Sequence, residues 1–152
     1  MSITIRHFTD LEELSFNAAE YISDCAVTCV LEKSFFSLVL SGGRTPRRLY
    51  EQLAGAPFRD TLPWGNIHVF WGDERCVPPD HAESNYSMAE KAILSKVPIP
   101  AHNIHRIKGE HDWCSEAAYD YERDIRNFFQ NMKSAINDFP SGPEMVLDQA
   151  FP

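Results

Sequence analysis

The sequence predicts an α/β fold in which helices pack against a parallel sheet, and three observations lead to it. Two apolar runs, Phe35-Phe36-Ser37-Leu38-Val39-Leu40 and Ile67-His68-Val69-Phe70-Trp71, are long enough for buried strands and too short for helices. Segments with apolar residues three and four apart precede, separate and follow them, as strand–helix–strand units require. Each run ends in glycine and charge, at Ser41-Gly42-Gly43-Arg44 and at Gly72-Asp73-Glu74-Arg75. In a parallel sheet both ends fall at the carboxyl edge, where ligands bind.

The elements follow in order. Ile3, Thr4, Ile5 and Phe8 suit a short edge strand. Thr9-Asp10-Leu11-Glu12 reads as a capping box. Leu11, Leu14, Ala18, Tyr21, Ile22, Cys25, Cys29 and Val30 then keep helical spacing to about Lys33. After the first apolar run, Thr45 is expected to cap a helix, with Pro46 at its first position, where the missing N–H costs nothing. Leu49, Tyr50 and Leu53 form that helix's inner face, Gly55 and Pro57 close it, and Pro63 ends a short connection into the second run. Pro78-Pro79 opens a loop ending at Ser84-Asn85, where Ser84 caps a helix to about Leu94, broken by Pro98 and Pro100. A weaker strand is expected over 104–107. The helix over about 115–136 carries Ala118, Tyr121, Ile125, Phe128, Phe129, Met132 and Ile136 on one stripe. Its Asp120, Glu122, Arg123 and Asp124 read as solvated surface. Met145-Val146-Leu147 is one further apolar run.

Composition narrows the function. The 152 residues are one domain's worth, and 43% hydrophobic with 24% charged residues describes an ordinary globular protein. No apolar run approaches the ~18 residues of a membrane span, and no signal peptide follows Met1, so a cytoplasmic location is expected. A net charge of −8 argues against nucleic acid and membrane surfaces as partners. The charge is uneven. Residues 34–72 hold Arg44, Arg47, Arg48 and Arg59 against Glu51 and Asp60, so this stretch is +2 and the rest carries −10. An acidic chain with a basic glycine turn suits a small anionic ligand there, with chance clustering as the alternative. Cys25, Cys29, Cys76 and Cys114 lack zinc spacing and read as reduced thiols, and no metal is expected.

The glycine turn has the properties of an anion site. Strand, turn and helix leave unpaired N–H groups and a positive dipole end facing outward, and glycine permits close approach. An ordinary tight turn without ligand is the alternative. Arg75 would place a guanidinium opposite that helix end, with Asp73 orienting it or bonding a sugar hydroxyl. A surface salt-bridge cluster is the alternative here. Trp71 and His68 read as core residues, and His81 lies in a loop without an assigned role.

These residues also resemble a family. Leu38-Val39-Leu40-Ser41-Gly42-Gly43-Arg44-Thr45-Pro46, with Leu49, Tyr50 and Leu53, resembles the phosphate loop of 6-phosphogluconolactonases. Trp71-Gly72-Asp73-Glu74-Arg75-Cys76-Val77-Pro78, followed by Ser84-Asn85-Tyr86, resembles their second signature, and the likeness runs to about Ile107. Glucosamine-6-phosphate deaminases share the fold but are less similar around Glu74-Arg75-Cys76-Val77-Pro78. The resemblance implies a doubly wound, Rossmann-like sheet. It also implies hydrolysis of 6-phosphoglucono-δ-lactone in the pentose phosphate pathway, without metal, nucleotide or other cofactor. By motif, Ser41, Gly42, Gly43 and Thr45 hold the phosphate. Arg75 binds the anionic substrate with support from Asp73, and Ser84 and Asn85 shape the loop.

The family's longer chains carry a later Gly-x-Asp-Gly-His-Thr-Ala-Ser segment whose histidine is the expected general base. None of the histidines at 7, 68, 81, 102, 105 and 111 stands in such a motif, so the catalytic residue is unassigned. The chain therefore looks like a shortened form, with little lactonase activity expected of it alone. An open sheet edge and uncovered apolar surface are expected, and self-association through them. A non-catalytic sugar-phosphate binder or partner subunit, and a deaminase or isomerase of the same fold, are the alternative functions.

Overall fold

The computed structural model describes residues 5–137. The chain forms α1 (Leu11–Lys33), β1 (Phe36–Leu40), α2 (Arg44–Leu53), α3 (Phe58–Thr61), β2 (Ile67–Trp71), α4 (Asn85–Ala92) and α5 (Cys114–Asn137). Turns of 3₁₀ helix lie at Trp64–Asn66, Leu94–Lys96 and Ala101–Asn103. Of the expected first strand, Ile3 and Thr4 lie outside the described residues, and 5–8 is irregular with Ile5 exposed. The run Met145-Val146-Leu147 also lies outside them.

β1 and β2 pair in parallel, with Phe36 opposite Ile67 and Leu40 opposite Trp71. The strand expected over 104–107 is a single parallel bridge from Ile104 to Val69, with His105 N–H donating to Val69 O at 2.8 Å. The chain leaves the sheet at once, because Gly109 N–H turns back onto Ile107 O.

Helices cover both faces of the sheet. Ile67, Val69 and Trp71 join Leu40 in a core cluster with Tyr50 and Leu53 of α2, Ala89 and Ala92 of α4, and Ala19 and Ala26 of α1. His68 and Phe70 point the other way, as strand alternation requires, and meet Phe128 of α5 at ring-centroid distances of 4.6 and 5.2 Å. α5 lies over β2 rather than β1, so Val39, which the apolar run led us to expect buried, is exposed.

Two helix faces differ from expectation by about one residue. In α1 the buried positions are Ser15, Ala19 and Ala26, while Leu11, Leu14 and Tyr21 are exposed. Small side chains let α1 approach its neighbours closely, and hydrophobicity alone does not report that. In α5, Ala117 is buried and Ala118 exposed, Phe129 is largely open, and Asp124 reaches His105 instead of solvent alone.

The caps explain the rest. Asp10, not Thr9, caps α1: its carboxylate accepts from Glu13 N–H at 2.8 Å, and Glu13 accepts from both Thr9 N–H and Thr9 Oγ. That frees Glu12 to pair with Arg48 of α2 and to accept from Gln52, tying the two helices together. The Arg48 hydrogen bond holds the Glu12 carboxyl below its usual range.

Candidate functional site

The turn after β1 begins with a tyrosine clip. Tyr50 of α2 accepts from Ser41 N–H at 2.8 Å and donates to Ser41 O at 3.0 Å, so both backbone groups of Ser41 are engaged. Burial pushes the Tyr50 phenol up, which keeps it a neutral donor.

Gly43 stands at the N-cap of α2 with φ +110°, a conformation L side chains rarely adopt. The helix therefore starts at Arg44, earlier than expected. Thr45 is its second residue and not its cap, Pro46 is the third, and no side chain caps this end. Pro46 remains harmless there, because the first N–H groups of a helix have no intrahelical partner. The first helical bond runs from Arg47 N–H to Gly43 O. The N–H groups of Gly42, Gly43, Arg44 and Thr45 have no protein partner among the described residues. They form an open cluster of donors at the positive end of a ten-residue helix.

The second loop is locked against the first. A Cβ at Gly42 would fall 2.0 Å from Asn85 Oδ1, so Gly42 admits the Asn85 side chain. Asn85 Nδ2 donates to Asp73 O at 3.0 Å and to Asp73 Oδ1 at 3.2 Å. Ser84 caps α4 as expected, accepting from Ser87 N–H at 3.0 Å. The surprise is Glu74, a residue without an assigned role in the sequence reading. Its carboxylate accepts from Ser84 Oγ, Asn85 N–H and Tyr86 N–H. No local spacing marks a carboxylate eleven residues ahead of the first residue of the helix it caps.

Of the site residues proposed from sequence, the structure brings Gly42, Asp73 and Asn85 into direct contact and ties Ser84 to Asn85 through the shared Glu74 carboxylate. Arg75 does not meet Asp73. It is exposed, and its guanidinium has no partner among the described residues. Asp73 is engaged with Asn85 instead. The basic character of the turn is smaller than the sequence count, because Arg47 and Arg48 are paired with Glu51 and Glu12. Among the described residues Arg44 remains unpaired beside the turn.

Further residues frame this edge. Tyr121 of α5 repeats the clip on β2, accepting from Trp71 N–H at 2.7 Å and donating to Trp71 O at 2.8 Å. Trp71 is core, at 3% exposure. Cys76, next to Arg75, is disulfide-bonded to Cys114 at the start of α5, which corrects the reading of four free thiols for this pair. The two meet because the loop around Arg75 packs on the segment at Gly109, just ahead of α5. Cys25 and Cys29 are free.

The histidines lie elsewhere. His68 Nδ1 and His105 Nε2 bond at 3.2 Å, and His105 Nδ1 reaches Asp124 Oδ2 at 3.0 Å. His81 is exposed, with Nδ1 accepting from Glu83 N–H. Among the described residues no group of three metal-ligating side chains converges. A 590 Å³ cavity lined by Arg59, Leu62, Trp64 and Lys96 lies beside the turn entering β2, at the other edge of the sheet.

Comparison with known proteins agrees with this fold. The family model for glucosamine-6-phosphate isomerases/6-phosphogluconolactonase matches residues 9–144. A 6-phosphogluconolactonase of Nostoc sp. is 39% identical over 97% of this chain and 58% of its own length. A probable 6-phosphogluconolactonase 2 of Oryza sativa is 36% identical over 94% of this chain and 50% of its own. The chain thus spans about half the length of the curated relatives it matches. A crystal structure of 6-phosphogluconolactonase from Thermotoga maritima aligns at TM-score 0.68 and 34% identity, covering 74% of this chain and 50% of that one. A monomeric glucosamine-6-phosphate deaminase aligns at 0.71 but only 22% identity, over 83% of this chain and 51% of that one, which supports the shared fold.

Proposed function

The chain belongs to the glucosamine-6-phosphate isomerase/6-phosphogluconolactonase family, and on that premise we propose that it acts on a phosphorylated sugar lactone. The reaction is hydrolysis of 6-phospho-D-glucono-1,5-lactone to 6-phosphogluconate in the pentose phosphate pathway. One observation carries the reading: four N–H groups, Gly42 to Thr45, without a partner among the described residues at the start of α2, with Asn85 seating the Asp73 loop against them. Phosphate suits this cluster, since backbone donors and a helix dipole recognise an anion without a cation of their own. Ser41 would contribute its hydroxyl, because its N–H is held by Tyr50. Arg75 would bind the substrate's charge or its ring oxygens, since its guanidinium is unpaired among the described residues and follows Asp73 and Glu74 directly.

Lactone hydrolysis also needs a base beside the attacking water. His68 and His105 bond each other among Phe35, Phe70 and Phe128, so neither is assigned that task. The deaminase alternative has the weaker support, 22% identity against 36–39% for the lactonases.

The experiment is a binding comparison. By calorimetry 6-phosphogluconate is expected to bind and unphosphorylated gluconate to bind far more weakly, and equal affinities would overturn the reading. Lactone disappearance, followed with Arg75→Ala as control, tests turnover: a rate above the spontaneous one that the substitution abolishes assigns it to this site.

Two lesser proposals accompany it. β1 has no second strand partner among the described residues and Val39 is exposed there, which supports self-association through that edge. A cytoplasmic location fits the substrate, and among the described residues no helix is long and apolar enough to cross a membrane. The Cys76–Cys114 disulfide points the other way, because such bonds are rare in a reducing compartment.

A further inference from the structure

Glu74 stands between the two side chains assigned to substrate, Asp73 and Arg75, yet its carboxylate is turned to the start of α4. It accepts from Asn85 N–H at 2.7 Å, Tyr86 N–H at 2.8 Å and Ser84 Oγ at 3.1 Å, and also from Arg75 N–H at 2.8 Å. The start of a helix attracts an anion. In α4 that anion belongs to the protein, whereas the start of α2 is left open.

The residue Glu74 grips most closely is Asn85, 7% exposed, which bonds Asp73 through Nδ2 and presses Oδ1 against Gly42. A continuous set of contacts therefore runs from Glu74 through Asn85 to the glycine turn. A second, shorter one runs from Glu74 to the backbone that carries the Arg75 side chain.

We propose that Glu74 is a positioning residue of the anion site, setting the Gly42 backbone through Asn85 and the Arg75 backbone directly. The consequence for ligand affinity rests on reading 41–45 as the phosphate turn; the structural coupling does not. Charge alone is insufficient for the role, because the carboxylate must reach Ser84, Asn85 and Tyr86 at once.

The test uses ¹⁵N-labelled chain with Glu74→Gln and Glu74→Asp, each alone and combined with Asn85→Ala. The Gln variant is expected to move the Gly42 and Gly43 amide resonances and to weaken 6-phosphogluconate binding about tenfold, the scale of a lost charged hydrogen bond. The Asp variant keeps charge but loses reach and is expected to fall between. With Asn85→Ala present, Glu74→Gln is expected to shift those amides little further, since its route to Gly42 is already cut. Glycine amides that stay in place, whatever happens to the melting temperature, would reduce Glu74 to a plain helix cap. So would equal effects in both backgrounds. If the Gln variant does not fold, the Asp variant decides by the same amides. If the unaltered chain binds no phosphosugar, the phosphate reading fails while the amide comparison still judges Glu74.

Discussion

Asn85 Oδ1 fills the space a side chain on Gly42 would need, 2.0 Å from where that Cβ would stand. The two loops at the carboxyl edge are keyed together by this contact, and Asn85 cannot yield because Asp73 and Glu74 hold its amide and its N–H. Gly42→Ala is therefore expected to destabilise by about 1–3 kcal/mol, the range of overpacking in a fixed site. Adding Asn85→Gly should recover much of that loss. Urea unfolding of the single and double variants measures it, and equal losses with and without Asn85 would show the contact to be slack.

Gly43→Ala tests a different term. No neighbour crowds a Cβ at Gly43, the nearest atom being Pro46 Cδ at 3.7 Å, so the cost comes from φ +110° alone. About 1–2 kcal/mol is expected, and here no second-site change to Asn85 should help. A rescue by Asn85→Gly would mean that the turn had rearranged.

The strands and the main turn were legible because two apolar runs, each bounded by glycine, have one reading by length and alternation. The start of α2 was not. Thr45-Pro46 is a sound cap by rule, but the positive φ of Gly43 moved the cap upstream, and no residue type reports a dihedral. The buried face of α1 was missed because Ser15, Ala19 and Ala26 are selected for size while Leu11 and Leu14 remain exposed. At the site, Ser84 could be read from cap chemistry and Asn85 from the family resemblance, whereas Glu74 between two charged neighbours looks like surface until α4 folds onto it.

Arg75→Ala should separate binding from stability. The guanidinium is exposed and unpaired among the described residues, so its removal is expected to shift the urea midpoint little. Affinity for 6-phosphogluconate should fall by about 1.5–3 kcal/mol, the scale of a charged hydrogen bond. A large stability loss with unchanged affinity would reverse the assignment.

The tyrosine clips give a paired prediction. Tyr50 and Tyr121 each satisfy an N–H and a carbonyl at the end of a strand, at Ser41 and Trp71. Phenylalanine at either position is expected to cost about 1–2 kcal/mol, since two backbone groups lose their partner at once. Only Tyr50→Phe should also weaken phosphosugar binding, because only Ser41 opens the anion turn. Calorimetry on both variants decides, and an equal loss of affinity would place Tyr121 in the same site.

Acid should loosen the face of the sheet that α5 covers. Burial, then the neighbouring His105 and His102, hold the His68 imidazole down to about 4, against 6.5 for an ordinary histidine. Between these values the unfolded chain takes up a proton that the folded chain refuses. Stability is therefore full above pH 6.5 and falls as pH drops toward 4. Glu110 adds a lower limb. Its hydrogen bond to Arg106 brings it to about 2 from 4.5, so its contribution is present above 4.5 and is lost as pH falls toward 2. Replacing His68 by phenylalanine, which suits a ring already among Phe35, Phe70 and Phe128, should flatten the upper limb and leave the lower one. Glu110→Gln should do the reverse. Urea midpoints taken in steps from neutrality downward test both, and an upper limb that survives His68→Phe would remove His68 as its source, although its ring is bonded into the chain that fastens α5 to the sheet.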